Sequence, residues 1–201
     1  MKKYKIWLIE ILVWGLVVVL ITFSTLKWQK QQNELHSTGH VFFSDTDGLI
    51  VTRKNIPIAL RFADCTPLIF YDTKQKIGAI SHAGWRGTTQ KIGPKTILKM
   101  GVNFGSNPDD IIAIIGPAIG LCCYEVSDEV RNKLLETVED STNLVQGKNV
   151  DLKQINSRQL EEIGVTKIDI CPYCTSCDND LFYSYRKGNG TAERHYAMLM
   201  L

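Results

Sequence analysis

At 201 residues with 44% hydrophobic content, the chain is long enough for one medium domain with a real core. Its formal charge is +2, but Lys2, Lys3, Lys5, Lys27 and Lys30 against Glu10 place +4 in residues 1–30 and leave −2 for the remainder. A domain of that charge has no electrostatic basis for binding nucleic acid, so no nucleic acid is expected as a partner.

Residues 1–30 read as a membrane-anchoring helix. The stretch 6–26 has the length that spans a bilayer and carries one charge, Glu10. Lysines flank it, and Trp7, Trp14 and Trp28 suit the interfaces. A cleaved signal peptide lacks its small-residue cleavage site here, and a buried core helix is the other alternative. Residues 31–44 form a polar linker, and a folded domain is expected over 45–201. It opens at the turn signal Asp45-Thr46-Asp47-Gly48. Four short strands follow, at 49–52, 56–62, 68–71 and 77–81. A helix at 88–100 must kink or split at Gly93-Pro94. A buried strand at 111–115 runs into Gly116-Pro117. Ser127 caps a helix to about residue 138, and Asp151 or Asn156 starts another that ends before Gly164. Stretches 181–186 and 194–201 read as closing strands. The expected fold is α/β (α+β), a layered sandwich of mixed β-sheet and helices preceded by one hydrophobic helix.

Cys65 and His82 stand out chemically. Each ends an apolar, strand-like run, in Ala63-Asp64-Cys65-Thr66-Pro67 and in Ser81-His82-Ala83-Gly84-Trp85-Arg86-Gly87. A thiolate and an imidazole at the ends of neighbouring strands make two metal ligands, or a nucleophile with its base. Gly84 and Gly87 read as a loop that lets backbone approach a ligand, and Arg86 offers a fork of donors to phosphate or carboxylate. Asp64 is placed to orient a ligand histidine from behind.

These blocks resemble the laccase-domain (YfiH-like) family. Gly116-Pro117-Ala118-Ile119-Gly120, Tyr124-Glu125-Val126, Asp151-Leu152, Gln159-Leu160, Cys174-Thr175 and the run from Leu181 to Arg186 extend the resemblance in order from about Thr38 to the C-terminus. The family is described as multicopper polyphenol oxidoreductase and as purine nucleoside phosphorylase with adenosine deaminase and methylthioadenosine phosphorylase activity. A peptidoglycan-editing hydrolase is a further description. The resemblance implies a metal site of zinc, or copper, on Cys65 and His82, and substrates that are a small nucleoside and phosphate. It also implies a third ligand, a histidine upstream of the Asp-Gly turn in a Gln-x-His context. This chain departs from that pattern and from the family's N-terminal elements, so the third ligand is His36, His40 or none. A catalytically impaired, truncated family member is the alternative reading of the same departure.

The other cysteines divide differently. Cys171-Pro172-Tyr173-Cys174-Thr175-Ser176-Cys177 has zinc-knuckle spacing, with His195 the downstream candidate for a fourth ligand. Cys122-Cys123 reads as packing. Six cysteines without framework spacing suit a reducing compartment. The expected location is therefore membrane-anchored with the domain facing the cytoplasm.

Overall fold

The computed structural model describes residues 45–201 and two isolated strands, β1 (Trp7–Leu8) and β2 (Leu20–Ile21). These two pair antiparallel, with Trp7 opposite Ile21 and Leu8 opposite Leu20. The rest of the membrane-anchoring helix expected over residues 1–30 lies outside the described residues. Among the described residues no helix is long and apolar enough to cross a membrane, so the membrane-anchored location is withdrawn. The expected linker at 31–44, with His36 and His40, lies outside the described residues.

From residue 45 onward the elements are β3 (Gly48–Val51), β4 (Ile58–Phe62), β5 (Thr66–Asp72), β6 (Ile77–Ala83), α1 (Trp85–Thr89) and α2 (Ile92–Phe104). Then come β7 (Ile111–Ile115), α3 (Asp128–Leu135), β8 (Val145–Gln146), β9 (Asn149–Val150), α4 (Leu152–Glu161), β10 (Lys167–Ile170) and β11 (His195–Leu199). Five strands form one mixed sheet in the order β10-β7-β5-β6-β3. Only its β10–β7 pair is parallel. A separate antiparallel ribbon joins β11 to β4.

Alternation along β5 builds the layers, because successive side chains leave a strand on opposite faces. Leu68 and Phe70 pack with Ile97 and Met100 of α2 and Leu160 of α4. Ile69 packs from the other face with Ile80 and with Phe62, Ala197 and Leu199 of the ribbon. The result is helices, mixed sheet and ribbon in three layers. A third apolar group, including Ile119, Leu134, Val150 and Ile155, fills the end beyond β7.

The expected single helix at 88–100 is two. Lys91 takes a left-handed φ of 54° and separates α1 from α2, so Gly93 and Pro94 fall in the first turn of α2. Proline is tolerated there because first-turn N–H groups have no helical partner. Gly93 is needed for packing: a Cβ would sit 3.0 Å from Leu68 Cδ1 and 3.2 Å from Leu160 Cδ2. The stretch 181–186 is not a closing strand but a turn region, with Gly188 N bonded to Ser184 O at 2.9 Å. Ser127 and Asp151 cap α3 and α4 through Val130 N and Gln154 N.

Candidate functional site

The chain bends sharply between β4 and β5, and the bend places Cys65. Asp64 holds a left-handed φ of 80°, which a non-glycine residue adopts only when its surroundings impose it. Three contacts do so. Thr175 Oγ1 donates to Asp64 Oδ1 at 2.7 Å, Arg186 N donates to Oδ2 at 2.7 Å, and Ile119 N donates to the Asp64 carbonyl at 2.9 Å. The carboxylate is 8% exposed, so those bonds replace its water.

His82 lies on β6 opposite Pro67 of β5, two residues beyond Cys65, which brings the imidazole to the side of the sheet where the Cys65 bend lies. Both border Gly84: a Cβ there would lie 3.0 Å from Cys65 Sγ and 3.9 Å from His82 Cε1. Gly84 is thus the gap between thiol and imidazole. Gly87 has another purpose, since its Cβ would stand 2.9 Å from the His82 carbonyl oxygen. Gly84 to Gly87 is not the ligand-approach loop expected from sequence. Gly84 is the N-cap of α1, and Gly87 lets that helix press against the end of β6.

The carboxylate behind the histidine is Asp47 and not the expected Asp64. Asp47 Oδ1 is 2.9 Å from His82 Nδ1, and the His82 backbone N–H donates to the Asp47 carbonyl at 2.8 Å. With Nδ1 engaged, Nε2 is the nitrogen left to meet a metal or substrate. Nothing in local spacing marks Asp47; the antiparallel pairing of Gly48 with Ser81 brings it there. Burial, with the Asp64 carboxylate adding to it, pushes the Cys65 thiol up to about 11. A bound cation is what would favour its thiolate. The thiol and imidazole fit zinc or copper as two members of a ligand set.

Arg86 is exposed on α1, its guanidinium 4.3 Å from the centre of the neighbouring Trp85 ring. On the Asp64 side, Arg186 lies 5.6 Å over the Tyr124 ring and donates to the Glu125 carbonyl at 3.0 Å. Burial pushes the Tyr124 phenol up to about 12. An open cleft of about 510 Å³, lined by Glu125, Val126, Ser127, Asp128, Lys148 and Arg186, adjoins this corner; Cys65 and His82 are not in its wall.

The sulfur-rich group differs from the expected one. Cys174 and Cys177 meet Cys122 and Cys123, with all four sulfurs within 4.8 Å of one another. Cys171 stands outside that group. His195 is not its ligand either, for it is buried in the ribbon layer, stacked 6.5 Å from Phe62 and edge-on 5.8 Å from Phe182. Cys122-Cys123, expected only to pack, faces the knuckle because the loops after β7 and β10 run side by side.

Residues 18–201 match the family model described as multi-copper polyphenol oxidoreductase laccase. The purine nucleoside phosphorylase YlmD of Bacillus subtilis (strain 168) is 36% identical over 163 residues, covering 77% of this chain and 58% of the relative. The crystal structure of YlmD from Geobacillus stearothermophilus superposes with a TM-score of 0.72 at 36% identity, over 77% of this chain and 60% of the other. That of the Bacillus licheniformis hypothetical protein YfiH gives 0.73 at 38% identity, over 78% and 61%. The chain therefore spans 58–61% of the length of these relatives.

Proposed function

The chain belongs to the multi-copper polyphenol oxidoreductase laccase family, and on that premise we propose that it is a metal-dependent purine nucleoside phosphorylase acting through Cys65 and His82. One observation carries the reading: thiol and imidazole both border Gly84, and Asp47 engages His82 Nδ1 so that Nε2 is the nitrogen left for a ligand. The names of these relatives, purine nucleoside phosphorylases, support the reaction class. Adenosine deamination and methylthioadenosine phosphorolysis are proposed for the same site.

Cys65 Sγ and His82 Nε2 would hold zinc, or copper, which supplies a Lewis acid and, in deamination, an activated water. The chain's own residues do the remainder. Asp47 keeps the His82 ring in one tautomer and orientation. Arg86 orients phosphate with its planar fork. In phosphorolysis a phosphate oxygen bonds to the ribose C1′ as the C1′–N9 bond breaks. The electron pair stays on the purine, which takes a proton, and the products are free base and ribose 1-phosphate.

The full chain is to be assayed with inosine, adenosine and methylthioadenosine in the presence and absence of phosphate. Phosphate-dependent release of base is expected, lost in Cys65→Ala and in His82→Ala. Turnover unchanged in both variants would remove these residues from the reaction, and no turnover in the metal-loaded chain would favour a non-catalytic family member.

A further inference from the structure

We propose that Cys122, Cys123, Cys174 and Cys177 form a second, structural metal centre that binds one zinc ion. β7 and β10 are parallel neighbours, Ile115 opposite Ile170, so the chain leaves both strands at the same edge of the sheet. The two exits continue as a pair. Cys171 N donates to Ile115 O at 2.8 Å, and Thr175 N donates to Ala118 O at 3.1 Å. One loop brings Cys122-Cys123 and the other Cys174-Thr175-Ser176-Cys177.

The sulfurs converge at the scale of a single ion. Cys122 Sγ is 3.5 Å and Cys123 Sγ 3.4 Å from Cys177 Sγ, and no pair in the group is more than 4.8 Å apart. Tetrahedral zinc, with Zn–S bonds of about 2.3 Å, sets its sulfurs about 3.8 Å apart. A cluster of several irons would hold its thiolates farther apart than one ion does.

The surroundings suit a thiolate at Cys174. Gly120 N donates to Cys174 Sγ at 3.2 Å, and the N–H groups of Ser176 and Cys177 face the same sulfur. Such N–H contacts stabilise a metal-bound thiolate and fix its orientation. Gly120 also keeps the approach clear: a Cβ there would stand 3.4 Å from Cys122 Sγ and 3.6 Å from Cys174 Sγ. Lys153, 6% exposed, donates to the Cys171 and Tyr173 carbonyls at 2.8 and 3.0 Å, bracing the entry to the knuckle. Binding exchanges four S–H bonds for four metal–sulfur bonds and releases the protons to solvent. Four protein ligands leave no open position, so this ion is structural.

Both cysteine loops reach the reaction site at Asp64, the first through Ile119 N, which donates to the Asp64 carbonyl at 2.9 Å. Thr175, within the knuckle, holds the Asp64 carboxylate beside Cys65. The ion thereby clamps the strained bend that presents Cys65.

The full chain is to be produced with zinc in the medium and its metal content measured. In the double variant Cys65→Ala/His82→Ala, one zinc per chain is expected to remain, and replacement by Co²⁺ is expected to give the strong sulfur-to-cobalt absorption of a tetrathiolate site. In Cys122→Ser/Cys177→Ser, changed only at exposed positions, that ion and that absorption are expected to disappear; in Cys171→Ser both persist. A Cys65→Ala/His82→Ala chain without zinc or the cobalt absorption would overturn the proposal. So would zinc content unchanged in Cys122→Ser/Cys177→Ser, or a metal-free wild type in which Cys177 is bridged to Cys122 or Cys123.

Discussion

Asp47 and Asp64 are both carboxylates near the candidate metal ligands, and their surroundings give them opposite duties. Asp47 has a side chain 65% exposed and one structural contact of consequence, the His82 ring. Replacing it by alanine leaves folding almost untouched and frees the imidazole to turn. The expected result for Asp47→Ala is a 10- to 100-fold loss in kcat/KM for phosphorolysis, the scale on which groups behind metal ligands act, with an unchanged urea midpoint. Unaltered kinetics would show that the ring needs no such support. Asp64 is the reverse case. Its buried oxygens satisfy Thr175 Oγ1 and Arg186 N, so Asp64→Ala orphans two donors at once. Orphaned buried donors make a loss of about 3 kcal/mol the expected outcome in equilibrium denaturation. A loss below about 1 kcal/mol would mean that water replaces the carboxylate at this bend.

The elements differ in how plainly their residues announce them. β5, β6 and β7 are runs of buried apolar residues bounded by turns, and the sequence alone places them within two residues. α4 is announced by its cap: Asp151 Oδ1 accepts from Gln154 N at 3.0 Å, so Asp151→Ala should cost about 1 kcal/mol in thermal or chemical unfolding. An unshifted transition would show that tertiary contacts of α4, such as Asn156 Nδ2 to Thr88 Oγ1 at 3.0 Å, hold it without the cap. Other elements leave little local trace. α1 is five residues with two glycines around its start, so glycine's loop signal hides it. β8 and β9 are two residues each, too short to show a period. The aromatic stretch 181–186 has a strand's composition, yet Arg186 N bonds a carboxylate 122 residues away where a strand would need a ladder partner. The site follows the same division. Cys65 and His82 are legible because each follows an apolar run within a motif of its own. Asp47, and the meeting of Cys122-Cys123 with Cys174 and Cys177, depend on which strands become neighbours, and no local pattern encodes that.

At the scale of the whole molecule, among the described residues, one histidine ring is shut into the layer between the ribbon and the mixed sheet. His195, opposite Phe62 in the β11–β4 pair, is 1% exposed and lies between the Phe62 and Phe182 rings. Burial lowers its pKa from 6.5 to about 4; Asp64 opposes that shift and Arg194 adds to it, and burial prevails. Above pH 6.5 the ring is neutral in folded and unfolded chains alike and contributes no pH dependence. Between pH 6.5 and about 4 the unfolded chain binds a proton that the folded chain refuses, so stability falls as pH falls. Below about 4 both states are protonated and the loss levels off near 3 kcal/mol in total. The pH dependence of the wild type alone does not isolate this ring. His195→Gln removes this titration and leaves the others in place. Unfolding free energies of the two proteins, measured in urea at steps from pH 6.5 down to 4, should converge by that amount as the wild type loses the stability that the variant never had to lose. A gap that stays constant across the window would mean that the ribbon opens enough to hydrate the ring, and that this layer is not closed in solution.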